Sequence, residues 1–245
     1  TLVLINIVTM KRILFLLLPV FMLTSCAELQ QFVNTAMSEP TNAEISDGLK
    51  EALNIGISKG ADQLSAKDGY FKSAYKILLP QEARKITDKL QGIPGFSNVE
   101  DVILEKINRG AEDAATKAKP IFIKAIKSMT MSDVVNILMG SDDAATQYLK
   151  NATSSELFSE FHPVIVNSLN KFNAIEYWDK AVGAYNSIPL VKHVDTKLDH
   201  YVTNQALDGL FKMVANEEKE IRRNPVKRVS ELLRKVFAKQ DSNRK

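Results

Sequence analysis

Apolar residues recur along most of this chain every three or four positions, the period of a helix with one buried face. Ile45, Leu49, Ala52, Leu53 and Ile57 open the series. "AKDGYFKSAYKILLP" reads as a turn and a short helix ending near Pro80, and Gln81 to Leu90 continues helically with Pro80 suited to a first turn. "QGIPGF" is a loop. Ser97 and Glu100 have the spacing of a capping box for the next helix. Its stripe is Val99, Val102, Ile103 and Ile107, then Ala111, Ala114, Ala115 and Ala118, with a break or kink at Pro120.

Ile121 to Met129 follows as a short apolar helix. "TMSDVVNILMG" predicts a helix capped at Thr130 or Ser132 and stopped at Gly140, and "SDDAATQYLKNAT" one capped by Ser141. "TSSELFSEFHPVIVNSLNKF" predicts a longer helix interrupted at Pro163, and "AIEYWDKAVGAYNSI" another ending before Pro189. Val202, Ala206, Leu210 and Val214 mark one face of a long helix from about Asp195 to Arg223, ended by Asn224-Pro225. A last stripe joins Val226, Val229, Leu232, Leu233, Val236 and Phe237. No stretch alternates for long enough to predict a strand. The expected fold is all-α: an irregular bundle of about ten helices in a single domain over residues 44–240, with a polar tail at 241–245.

The first residues follow a different pattern. Lys11 and Arg12 precede an apolar run from Ile13 to Leu23, followed by Thr24, Ser25 and Cys26. Charge, a short apolar core and small residues make a secretory signal. The run is shorter than the ~20 residues a spanning helix needs. Leu23-Thr24-Ser25-Cys26 resembles a bacterial lipobox, which implies cleavage before Cys26 and lipid on its thiol. Acyl chains would then hold the protein on a membrane. Cys26 is the only cysteine, so no internal disulfide can form. Residues 1–9 precede the expected start at Met10, 10–25 form the signal and 26–43 a lipidated tether. Ala27 stands where lipoproteins kept in the inner membrane often carry aspartate. That resemblance points to the outer membrane, facing the periplasm.

Composition changes this picture little. With 45% apolar and 25% charged residues the chain has the make-up of a globular domain rather than a disordered one. Without Lys11 and Arg12 the formal charge falls from +3 to +1, which gives no general attraction to nucleic acid. The charge is uneven: residues 217–245 hold ten Lys or Arg against five Asp or Glu.

Three motifs carry candidate chemistry. "GISKG", Gly56 to Gly60, has the G-x-S-x-G spacing of a nucleophile elbow, but the elbow needs a strand before it and this segment has helical period. The alternative is a helix end punctuated by glycines. "HVDTKLDHYVTN" sets His193 and His200 about two turns apart, with Asp195 and Asp199 between. Imidazoles with carboxylates suit zinc, yet the specific His-x-x-x-His spacing is missing. Asp195 capping a solvated helix start is the competing reading, and no metal is assigned. "EEKEIRRNPVKR" places Arg222, Arg223, Lys227 and Arg228 at a helix junction, able to meet phosphate headgroups or simply to be solvated.

Longer strings narrow the family. "ILLP" (77–80), "NRGAEDA" (108–114), "MTMSDVVNILMG" (129–140), "AATQYL" (144–149), "YVTNQALDGLF" (201–211), "EEKEIRRNP" (217–225) and "LLRKVF" (232–237) resemble, in order and spacing, the bacterial family called domain of unknown function 4197. Val134, Gly110 and Ala111 depart from its usual residues as packing adjustments would. The resemblance implies a helical, periplasm-facing domain, often secreted or lipidated, and implies no activity. The strings share Asn108, Glu112, Asp133, Thr146, Tyr148, Thr203, Asp208, Glu217, Glu218, Arg222 and Asn224. These polar residues form a structural network, line a pocket, or divide between caps and pairs; Asp133 in a first turn and Glu218 with Arg222 four residues on are examples.

Three functional readings stand at this point. The first is a non-enzymatic, membrane-tethered interaction or scaffold protein of the cell envelope. The second is a periplasmic carrier or sensor of a hydrophobic or anionic ligand, lodged where Ala111 to Ala118 leave space. The third is a hydrolase-type enzyme built on Glu112, Glu217 and Arg222. The partners expected are a membrane, through lipid on Cys26, and an envelope protein or a lipid-like ligand. No cofactor, catalytic residue or nucleic acid is expected.

Overall fold

The computed structural model describes residues 39–242, except 80, 91, 93, 95, 96, 172 and 194–196. The signal, Cys26 and the tether as far as residue 38 lie outside the described residues, as do Asp195 and residues 243–245. The described elements are α1 (Asn42–Ser65), α2 (Gln81–Leu90), α3 (Val99–Ala115), α4 (Ala118–Lys127), α5 (Met131–Leu138), α6 (Ala144–Lys171), α7 (Ala174–Asn186), α8 (Leu198–Arg223), a 3-10 turn (Pro225–Lys227) and α9 (Glu231–Ser242). There is no strand among the described residues. No described helix is long and apolar enough to cross a membrane.

The centre of the bundle is the pair α6 and α8. Side-chain pairs join residue 146 to 218, 150 to 208 and 162 to 199, so the two helices run antiparallel. α1 lies antiparallel along α8 and meets α9 at its start. Close approach there depends on missing side chains: a Cβ on Gly60 would stand 2.9 Å from Met213 Cγ, and one on Gly48 2.7 Å from Val236 Cγ2. The "GISKG" segment is therefore neither an elbow nor a helix end. It lies inside α1, which runs on to Ser65.

The periodic apolar positions form the core. Ile103, Ile107, Ala111, Ala114, Ala115 and Ala118 are all fully buried, and α3 packs against α6. Val134 is buried, and Gly110 faces Ser168 and Leu169 across ordinary contact distances. Both departures from the family pattern are thus packing positions.

Several boundaries differ from expectation, each for a local reason. The described α-helices number nine, against about ten expected, because Ala144 to Lys171 is one continuous helix through Pro163. Proline removes one ladder bond and strains the preceding turn, yet the flanking residues Phe161 and Ile165 are fully buried and hold the axis. Ser141 does not cap this helix; its hydroxyl donates to Asp143. Residues 66–79 form turns and an extended stretch instead of a helix. The Ser97 box is absent: Asn98 is the N-cap without a side-chain bond, and Glu100 accepts from Thr87 Oγ1 at 2.8 Å. Pro120 sits in the first turn of α4, where its missing N–H breaks nothing. Val226 and Val229 leave the last stripe and are 86% and 66% exposed. Pro225 starts a 3-10 turn, and α9 begins only after Ser230 Oγ accepts from Leu233 N–H.

Candidate functional site

Most of the described buried polar residues, Asn108, Glu112, Thr146, Glu218, Arg222 and Arg228, belong to two separate clasps. The first secures the irregular segment 66–79. Asn108, fully buried on α3, accepts from Ile77 N–H at 2.8 Å and donates to Ile77 O at 2.9 Å and Leu104 O at 2.7 Å. One turn on, Glu112 Oε1 accepts from the N–H groups of Tyr70 and Phe71, both at 3.1 Å. Its other oxygen accepts from Arg109 at 2.8 Å, and Arg109 also reaches Asp68 at 2.7 Å. Tyr70 is fully buried and its hydroxyl donates to Ala206 O on α8 at 2.7 Å. Burial, and then the Glu112 charge, push its phenol far above the usual tyrosine range. Extended backbone must find partners for its polar groups, and α3 supplies them from one face.

The turn that enters this clasp is tight. Asp68 has φ 69°, and a Cβ on Gly69 would stand 2.3 Å from Gln63 O. Only glycine fits at that position. The Arg109 hydrogen bond holds the Asp68 carboxyl below its ordinary range, against a smaller opposing effect of burial.

The second clasp joins α5, α6 and α8. Glu218, on α8, accepts from Ala145 N–H at 2.9 Å and from Thr146 N–H and Oγ1–H, both at 2.8 Å. It thereby caps the start of α6 from another helix, where a carboxylate also meets the positive end of the dipole. Arg222 Nε donates to the same carboxylate at 2.9 Å. The rest of its guanidinium donates to Ile137 O at 2.8 Å and Leu138 O at 3.2 Å, at the end of α5. Arg222 is 1% exposed. Arg228, 2% exposed, caps α8 through Ile221 O and Arg222 O. The expected basic patch is thus divided: Arg222 and Arg228 are buried, Arg223 pairs with Asp142, and Lys227 is exposed.

The remaining predicted residues have local roles. Asp133 completes a capping box with Thr130, and those hydrogen bonds hold its carboxyl below the usual range. Thr203 is buried and donates to Asp199 O. Asn224 caps the 3-10 turn by accepting from Val226 N–H. Tyr148 is half-buried against the core. Glu217 binds Lys59 on α1 at 2.6 Å. Asp208 is exposed, 3.8 Å from Lys150. Glu112, Glu217 and Arg222 share none of these partners, so the structure does not bring them together as one acid–base group. Beside Glu218 and Arg222 lies a cavity of about 20 Å³, lined also by Leu49, Leu53, Val214 and Phe237. That is room for about one water.

A further cluster joins helices the sequence pattern did not link. His162, midway along α6, lies 2.9 Å from Asp199 in the first turn of α8. The His162 and His200 rings are 4.8 Å apart. Phe158 stacks on His162 at 5.5 Å with planes 11° apart. Burial alone would raise the Asp199 carboxyl, but the His162 hydrogen bond and the His200 amide outweigh it and hold it low. The expected His193–His200 pair is replaced here by His162–Asp199–His200; His193 precedes α8, which starts only at Leu198. Nothing in the local sequence marked His162, because 37 residues separate it from Asp199.

No curated protein and no solved structure matches this chain. The family model described as "Protein of unknown function (DUF4197)" matches residues 39–238, from just before α1 into α9, so both clasps lie inside the shared region and the chain belongs to that family.

Proposed function

We propose that this protein is a non-enzymatic interaction protein of the bacterial envelope, lipid-anchored through Cys26, on the outer membrane facing the periplasm, that docks a partner protein on α5. The observation that carries this reading is a row of exposed apolar side chains along α5 and its C-cap. Met131, Val135 and Met139, spaced by four residues, are 40%, 44% and 62% exposed. Exposed Ser132 and Asn136 rim the row, the layout of an apolar interface with a polar edge. Methionine side chains adapt to a partner's surface. The Thr130–Asp133 box holds one end of α5 and Arg222 the other, so the row is preorganised.

The buried polar residues support the same reading, since each named one is engaged with backbone or with another clasp member. The carrier reading has less support, because Ala111, Ala114, Ala115 and Ala118, where the ligand was expected to lodge, are fully buried in the core, and the cavity beside Glu218 and Arg222 is far below the size of a lipid-like ligand. A photo-crosslinking residue at Val135, introduced in living cells, tests the proposal. It is expected to capture one discrete envelope protein, and Met139→Glu is expected to abolish that capture without changing the amount of folded chain. Capture that is absent, or equal in Met139→Glu, refutes the reading. Mass analysis of the extracted chain tests the anchor: a lipid-modified start at Cys26 is expected, and an unmodified cysteine refutes it.

A further inference from the structure

We infer that His162, Asp199 and His200 form a zinc site at the mouth of the groove between α6 and α8. Their nearest ligand atoms all lie within 4.8 Å of one another. Zinc bonds of about 2.0–2.1 Å set tetrahedral ligands roughly 3.4 Å apart. The His162–Asp199 pair, at 2.9 Å, is already that close. The remaining contraction falls on His200, the most exposed member and the one freest to change rotamer.

Ligand chemistry and support both fit. Two imidazoles and a carboxylate are borderline donors that zinc prefers over calcium or magnesium. His162 is held on its other side by the stacked Phe158 ring, which fixes the plane of the imidazole. Asp199 lies in the first turn of α8, where the helix dipole opposes a cation, and its carboxylate supplies the charge that offsets this. His162 comes from the middle of α6, so zinc would tie the two central helices together.

Three protein ligands leave a fourth position open. Phe158, in ring contact with both His162 and His200, also lines a groove of about 450 Å³ with Lys150, Asn204, Leu207, Asp208 and Phe211. Through Phe158 the cluster adjoins a groove with room for a small ligand, with Lys150 as its cation and Phe158 and Phe211 as its apolar wall. That arrangement is separate from both backbone clasps and from the exposed row on α5.

The test is zinc titration of the untagged full-length chain in detergent, by calorimetry and by competition with a chromophoric chelator. One zinc per chain is expected, with the melting temperature rising on saturation. His200→Ala and Asp199→Asn are each expected to weaken binding at least tenfold, and His162→Ala more. His193→Ala and Cys26→Ser are expected to leave it unchanged. Cobalt(II) is expected to give the visible bands of a low-coordinate nitrogen–oxygen site, and His200→Ala to remove them. Because His200 is exposed, its variant reports on binding even if His162→Ala unfolds. Less than one zinc per chain at saturation overturns the inference. So does affinity unchanged in His200→Ala, or lost in His193→Ala or Cys26→Ser.

Discussion

Glu218→Ala is the perturbation that most directly tests the α5–α6–α8 clasp. The wild-type carboxylate accepts four hydrogen bonds, from Ala145 N–H, Thr146 N–H, Thr146 Oγ1–H and Arg222 Nε–H. Truncation leaves the Arg222 guanidinium, 1% exposed, without its counter-charge. Removing one partner of a buried pair costs about 3–5 kcal/mol. It also uncaps α6, which costs about 1 kcal/mol. The neighbouring cavity of about 20 Å³ enlarges and admits water, which lowers the penalty, so about 4 kcal/mol is expected. For a domain of this size that is a fall of roughly 8–16 °C in melting temperature. Arg222→Met removes the stranded charge. In that background Glu218→Ala should cost at least ~2 kcal/mol less, because the penalty for an unpaired guanidinium no longer arises. Urea unfolding followed by circular dichroism and by the single tryptophan, Trp178, 2% exposed, measures each corner of the cycle. A cost below ~1 kcal/mol for Glu218→Ala, or strict additivity of the two changes, would refute the reasoning.

The other expectations concern separate parts of the fold. Asn108→Ala strands both backbone groups of Ile77 and should cost about 2–3 kcal/mol, with faster amide exchange at Ile77 but not at Ala145. Gly60→Val should destabilise by about 1–3 kcal/mol through overpacking against Met213, read as a lower urea midpoint. Asp133 has a folded pKa below its unfolded value, so its contribution is present above the unfolded carboxylate range and is lost as pH falls through the folded pKa. The stability gap between wild type and Asp133→Ala should therefore shrink in acid; a gap that widens would contradict the capping box. The Tyr70 phenol should not ionise in the folded chain through the usual tyrosine range, since burial and Glu112 both raise it, and ultraviolet difference titration of Tyr70→Phe against wild type would show this.

Helices were legible in the sequence where burial repeats with the helical period. Leu49, Leu53 and Ile57, or Val202, Ala206 and Leu210, are periodic in sequence and buried in the structure. The prediction failed where a local rule was overruled by distant contacts. Residues 66–79 have a helical composition, but Asn108 and Glu112 offer their backbone better partners from α3. Pro163 signals an interruption, but the buried residues on both sides hold α6 continuous. Ser97 and Glu100 have the spacing of a box, yet Glu100 bonds Thr87 on α2 instead. Conversely, Thr130 and Asp133 need only each other, so the cap at Thr130 or Ser132 and the first-turn place of Asp133 were both readable in one short string.

The same distinction governs the polar residues. The shared strings pointed to Asn108, Glu112, Thr146, Glu218 and Arg222, but not to what each one holds. Apart from local bonds such as Arg222 to Glu218, their partners lie 31 to 85 residues away and are mostly main-chain atoms, which leave no mark in composition or spacing. Arg109, Asp68 and Tyr70 escaped notice for that reason, and Arg228 was read as part of a basic patch rather than as the cap of α8. His162 is the sharper case. A search for metal ligands in sequence depends on spacing within one helix, and so it selected His193 with His200. The antiparallel pairing of α6 and α8 brings together His162 and Asp199 instead. Metal ligands contributed by two helices have no fixed sequence interval, so only the pairing of those helices could reveal them. The two clasps and the histidine cluster also differ in what they leave over. Glu218 accepts four hydrogen bonds from within the fold, whereas His200 stands exposed against Phe158, which lines an open groove. An unspent donor atom at a groove is the feature that separates a candidate ligand site from a structural network made of the same residue types.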